Sequence, residues 1–311
     1  MLLRDMSTHG VLRVTGADRV RFLNGMFTND VARLAPGQGV HAAMLTVKGK
    51  LLGDALILAD DDFLLVDIVP AARDKVRDNL DRHLIVDEVV LEDEPAGLLA
   101  VHGEDAAAAL AAALGVAPAA LPEAPYQHSV LGGLRVVRAD ELGLPGYRVH
   151  GDTAALSARL LTAGGRWLAA DEEEQLRVLA GQARYGVDMG EDHLPMEAGL
   201  DDAVSLTKGC YMGQEVIARL TARGHINRKL VTLRLEGEAA GEPGSRIAGP
   251  GRDEAGVVTS AARAPDRGVV ALGYVHRSLW EPGTALVVHE AAGPRGAVVL
   301  APPAAPAVTR P

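Results

Sequence analysis

The chain has 311 residues, 48% of them hydrophobic and 23% charged, with a formal net charge of −10. That length predicts two or three domains with a sizeable core, and the acidic balance argues against an electrostatic grip on nucleic acid, the one basic stretch, Arg219 to Lys229, being short. No apolar run approaches the roughly 20 residues of a bilayer span and the amino terminus lacks a signal-type segment, so a cytoplasmic protein without membrane contact is expected.

From the amino terminus the chain reads as a weak duplication. Gly10 to Gly16, a strand ending in glycine, leads into a helical stretch from Ala17 to Thr28; Gly97 to Gly103 and Glu104 to Leu114 repeat the pattern. Phe63 to Val69 followed by helical Ala71 to Leu84 is echoed by Gly146 to Val149 followed by Asp152 to Ala163. Each copy holds a hairpin-like stretch between its helices, His41 to Leu58 in the first and His128 to Arg138 in the second. Two ferredoxin-like βαββαβ units, in an α+β fold with helices on one face of each antiparallel sheet, account for this pattern. Gly115 to Pro125 reads as an irregular connector.

A helix is predicted from Asp171 to about Gln182, its three glutamates Glu172, Glu173 and Glu174 facing the positive end of the helix dipole. Beyond Asn227 short strands alternate with Gly and Pro clusters: Leu230 to Leu235, Arg246 to Ala248, Gly256 to Ser260, Val269 to Val275, Ala285 to Val288 and Gly296 to Leu300. The spacing predicts a small antiparallel barrel, with Gly249-Pro250-Gly251 as a turn and not a phosphate loop, because no helix follows it. The expected division is a first α+β unit over 1–96, a second over 97–226, a barrel over 227–300 and a mobile Pro/Ala tail over 301–311.

Residues 208 to 215, Lys208-Gly209-Cys210-Tyr211-Met212-Gly213-Gln214-Glu215, carry the one cysteine of the chain. The glycines let backbone come close to a ligand or partner, and Lys208, two residues from the thiol, would favour thiolate. A free cysteine is also commonly a small buried hydrophobe, and the string by itself leaves both readings open. One cysteine precludes an internal disulfide and argues against a cluster held by this chain alone, which typically takes about four thiolates. His193, Cys210 and His225 are too widely spaced for a metal pattern, so no metal is expected, and no nucleophile elbow occurs.

The octapeptide, followed by Val216-Ile217-Ala218-Arg219 and Arg223-Gly224, resembles the signature of the YgfZ/GcvT-like folate-binding proteins, which are associated with iron–sulfur cluster assembly or repair. Gly16 to Gly25 with Thr28-Asn29-Asp30-Val31 is similar to that family's first helix, and Tyr185-Gly186 with Leu194 to Leu200 to its folate-pocket stretch. The resemblance spans roughly residues 8 to 290 and implies an aminomethyltransferase-like fold that binds tetrahydrofolate. It implies that Glu197 accepts hydrogen bonds from the pterin ring, as a carboxylate matches two parallel donors. Tyr185 is placed against the cofactor, and Lys208 and Arg219 toward the carboxylates of the glutamyl tail or of a protein partner. A surface carboxylate for Glu197, a packing role for Tyr185 and a structural ion pair for Arg219 are the plainer alternatives.

The glycine-cleavage aminomethyltransferases, which share this architecture, carry an Asp-Asp pair after a Gly-Gly turn; here the run is Gly49-Lys50-Leu51-Leu52-Gly53-Asp54, with Gly53 in place of one carboxylate. They also lack a thiol where this chain has Cys210. Both departures favour an accessory factor, expected as a monomer, that binds tetrahydrofolate and serves iron–sulfur client proteins, enzymes that thiolate transfer RNA among them, with Cys210 as the working residue. The alternative is a folate-dependent one-carbon transferase with Asp54 as its acid or base.

Overall fold

Apolar Val11, Leu12 and Val14 are buried on both faces of Gly10–Thr15 (β2) and seat this strand inside a sheet. A computed structural model of the chain describes residues 1–94, 97–264 and 267–302. The expected tail lies, from residue 303 on, outside the described residues. Two compact units form: Met1–Leu168 together with Asp202–Gln214, and Ala169–Asp201 together with the described residues from 215 to 302. The expected folate-pocket stretch thus falls with the barrel.

The first unit opens with Leu2–Asp5 (β1), followed by β2, helix Arg19–Met26 (α1), Gly39–Leu45 (β3), Leu51–Ala59 (β4), Leu64–Ile68 (β5), helix Arg73–His83 (α2) and Val90–Asp93 (β6). The second copy runs Gly97–His102 (β7), Ala106–Leu114 (α3), His128–Leu131 (β8), Leu134–Arg138 (β9), Gly146–Gly151 (β10), Ala154–Thr162 (α4) and Arg166–Trp167 (β11). The first sheet has the order β3-β4-β5-β2-β6 and the second β11-β1-β7-β10-β9-β8. Read from the hairpin inward, β3, β4, β5 and β2 correspond to β8, β9, β10 and β7, so the duplication is real in three dimensions. Gly16 and Gly103, which end the matching strands, both have positive φ, 102° and 128°.

Each copy has three strands between its helices, one more than a plain βαββαβ unit. The outer slot also differs. In the first sheet β6 follows α2 in sequence and pairs with β2, whereas the equivalent slot beside β7 is filled by β1 from the start of the chain. Helices α3 and α4 bury Ala106, Leu110, Leu156 and Leu160 against Leu3, Leu99, Val101 and Val149 of their sheet. Val11, Leu56, Leu58 and Leu65 of the first sheet pack against Val137 of the second.

In the second unit helix Ala170–Leu179 (α5) carries Asp171, Glu172 and Glu173 in its first turn and ends before Gly181, at φ 69°. After helix Gln214–Arg223 (α6) come Arg228–Leu235 (β12), Arg246–Gly249 (β13), Arg252–Ala264 (β14), Gly268–His276 (β15), Ala285–Glu290 (β16) and Gly293–Val299 (β17). They close into an antiparallel barrel of order β12-β15-β14-β13-β16-β17. Closure leaves no free sheet edge, and Leu233, Ile247, Val258, Val269, Ala271 and Val288 fill the interior. Gly249, Pro250 and Gly251 form the turn from β13 to β14, as expected. Among the described residues no helix is long and apolar enough to cross a membrane.

Candidate functional site

The β3–β4 hairpin places Asp54. Leu45 pairs with Leu51, but a bulge shifts the register by one, so that Met44 faces Gly53 and Ala43 faces Asp54. Side chains of paired residues share a face, and the face repeats every second residue, so His41 lies diagonal to Asp54 on the same side. Its Nε2 is 2.9 Å from Asp54 Oδ2. Asp54 Oδ1 is buried and makes no hydrogen bond among the described residues, while 13% of the side chain stays exposed.

Gly53 points the other way. A Cβ there would lie 2.6 Å from Ala72 Cβ and 2.8 Å from Val76 Cγ2, under the start of α2. A carboxylate at position 53 would therefore sit on the helix-covered face and not beside Asp54. The glycine that counted against aminomethyl transfer in the sequence removes no group from the Asp54 face.

The loop that bears Cys210 is docked in the same unit. Thr28 Oγ1 donates to Ala203 O at 2.6 Å, Ser205 N to Thr28 O at 3.0 Å and Met212 N to Gly25 O at 3.1 Å. Gly213 has φ 81° and backs so closely onto the β3–β4 turn that a Cβ would meet Thr46 O at 2.5 Å; only glycine fits both demands. Lys208 is buried, and its ammonium donates to Asn24 O at 2.5 Å, Phe27 O at 2.7 Å and Asn29 O at 2.7 Å. Three acceptors use its three protons, which leaves none for a folate carboxylate and makes Lys208 a clip between the loop and the end of α1. Burial pushes its pKa down to about 8, with Asp30 acting the other way. Cys210 and Gly209 are exposed and Tyr211 is buried, its ring 5.2 Å from the Lys208 ammonium. Gln214 and Glu215 open α6.

In the second unit Glu197 sits in a one-turn 3-10 helix, Pro195–Ala198, and is buried. Its Oε2 accepts the Leu194 N–H at 3.0 Å, and Arg228 at the head of β12 reaches both oxygens at 3.3 Å. Arg228 also donates to Asp192 O at 2.7 Å and lies 5.1 Å from the Tyr274 ring. His193 stacks on Tyr274, centroids 4.5 Å apart. Burial lowers the His193 pKa and raises that of the Tyr274 phenol, whose hydroxyl makes no hydrogen bond among the described residues. Tyr185 is buried in a turn held by Asp188. Asp188 Oδ2 takes Arg184 N at 2.9 Å and Arg177 Nη1 at 2.5 Å, and its Oδ1 takes Thr259 and Ser260 hydroxyls at 2.6 and 2.7 Å. Arg219 is exposed on α6 and has no ion pair among the described residues.

Sequence reasoning missed His41, Arg228, His193 and Tyr274. A histidine two positions before the residue opposite Asp54 is a signal only once the bulge is known. Arg228 heads a barrel strand and reads there as an ordinary surface cation.

Residues 1–208 match the GCVT N-terminal domain and residues 228–304 the glycine cleavage T-protein C-terminal barrel domain. The chain belongs to this GcvT-like aminomethyltransferase family. It is 32% identical over 282 residues to the aminomethyltransferase of Rubrobacter xylanophilus, covering 88% of this chain and 75% of that one. It is 29% identical over 303 residues to the aminomethyltransferase of Halothermothrix orenii, covering 92% and 83%. The crystal structure of glycine cleavage system aminomethyltransferase T from Bartonella henselae superposes with a TM-score of 0.88 at 23% identity, covering 96% of this chain and 85% of that one, a likeness of fold.

Proposed function

We infer that the chain is a folate-dependent one-carbon transferase, with Glu197 as the pterin acceptor and Asp54 as the acid–base group at the reactive folate nitrogen. The observation that carries this reading is Asp54, a carboxylate fixed by His41 at one oxygen and unused at the other, in a chain whose relatives are named aminomethyltransferases. A pterin presents a ring N–H beside an amino group, the same two-donor geometry with which Arg228 now meets Glu197, so a pterin at Glu197 would take the place of Arg228. The face of Gly53 supports the same reading, because nothing of the Asp54 side is lost with it.

Purified protein supplied with an amine one-carbon donor and tetrahydrofolate is expected to form methylene-tetrahydrofolate. Asp54→Asn is expected to slow that transfer by about 10²–10⁴, the usual worth of a positioned acid–base group. Wild-type protein that binds tetrahydrofolate yet transfers nothing would overturn the reading.

Exposed Cys210 on its docked loop favours a second reading, a tetrahydrofolate-binding accessory factor that assembles or repairs iron–sulfur clusters on client proteins, including enzymes that thiolate transfer RNA. A deletion strain with normal glycine cleavage but reduced activity of cluster enzymes supports this second reading; the reverse phenotype supports the first.

A further inference from the structure

We propose that His41 is the positioning residue for Asp54, acting on the reaction through that carboxylate without touching substrate; this rests on the transferase reading above. The two side chains sit on adjacent strands, diagonal across the hairpin, with Nε2 2.9 Å from Oδ2. An aspartate on a strand rotates about two side-chain bonds, and one hydrogen bond from a half-buried ring fixes both. An ionised carboxylate can only accept, so the contact has His41 donating from Nε2 to Asp54 Oδ2.

The backbone beneath His41 is itself tied down. The Asn29 side-chain amide donates one proton to His41 O at 2.8 Å and the other to Asp202 O at 2.9 Å, and Asn29 O accepts from Lys208 at 2.7 Å. A continuous set of bonds therefore runs from the Cys210 loop through Lys208 and Asn29 to His41 and Asp54. Support of this kind separates a carboxylate held in one geometry from one that samples several, and a loosely held group loses much of its catalytic worth. Asp54 Oδ1, buried without a donor, contributes nothing to fixing the rotamer, so the task falls to the Oδ2 contact alone.

Two arms test this on the full-length protein. In ligand-free protein labelled with ¹⁵N-histidine, His41 is expected to appear protonated at Nε2, with a signal that Asp54→Asn alters; a ring protonated at Nδ1 alone, or a signal that ignores Asp54→Asn, overturns the pairing whether or not the protein turns over. In the transfer assay, His41→Phe is expected to lower kcat by about tenfold or more with KM for tetrahydrofolate within about twofold. His41→Gln, which keeps a donor near the position of Nε2, is expected to recover much of that loss, and His41→Phe added to Asp54→Asn to cost nothing further. A His41→Phe enzyme with wild-type kcat, or a Gln variant no better than Phe, overturns the positioning role. Absence of transfer by the wild type instead refutes the transferase reading, and the tautomer arm alone then decides the pairing.

Discussion

Two aspartates on neighbouring strands of the first sheet each pair with a histidine, and their fates differ. Asp67 on β5 has no exposed side-chain surface; its Oδ1 meets His9 Nδ1 at 2.7 Å, and its Oδ2 takes the Arg148 guanidinium, which in turn is bonded to Glu141. Burial would raise the carboxyl's pKa, but Arg148 and His9 outweigh it and hold the group well below the usual carboxylate range. Among the described residues Asp54 on β4 has only His41, with one idle oxygen and some exposure. A buried charge with every acceptor filled is committed to structure, since any further partner would have to displace one already there. The incomplete set is the one with capacity for a ligand.

That contrast breaks first at Asp67. Asp67→Asn leaves Arg148 with Glu141 alone in a buried site, and a cost of about 3–5 kcal/mol in denaturant unfolding is expected; Asp54→Asn, partly exposed and singly bonded, is expected to cost less than about 1 kcal/mol. Equal losses would erase the distinction. Glu197 stands between the two: its Oε2 takes the Leu194 N–H and Arg228, its Oε1 takes Arg228, and a ligand with two parallel donors would take the place of Arg228. Glu197→Gln turns an amide N–H against a pterin donor, and leaving a donor unpaired costs about 1–3 kcal/mol, so calorimetry is expected to show tetrahydrofolate affinity falling about tenfold or more.

The smallest effect concerns acid. His150, beside Asp67 at 3.9 Å, is held by burial at a pKa of about 4 against an ordinary 6.5. Protonation favours the unfolded chain first, so stability is full above about pH 6.5 and declines as pH falls toward 4. Burial also lowers the pKa of His102 and adds to the same decline. His150→Gln is expected to flatten part of that slope in melting temperature between pH 6.5 and 4.5; an unchanged slope would show that His150 is not its source.

The barrel was legible because each strand is short, alternates and is bounded by Gly or Pro, signals that act over a few residues. So was the duplication, whose glycine-ended strands repeat in order. What could not be read depends on distant or register-specific contacts. The bulge between Met44 and Leu45 changes the pairing by one residue, and such a slip reverses the face that each side chain takes; hence the partnership of His41 was not visible. Lys208 shows the same limit, since its acceptors lie some 180 residues away and a lysine beside a cysteine invites a chemical reading that its geometry does not support. The exposure of Cys210 was one of two readings that its polar and glycine neighbours left open.

Strand β1 has a consequence for how the chain is made. Leu3 pairs with Val101 and with Trp167, so strand β1 waits for about a hundred further residues to be made before a partner strand exists. Contacts of such sequence separation close late and slow folding. The first sheet, complete once β6 is made, can form while β1 is still unpaired, and the second sheet closes around a segment older than itself.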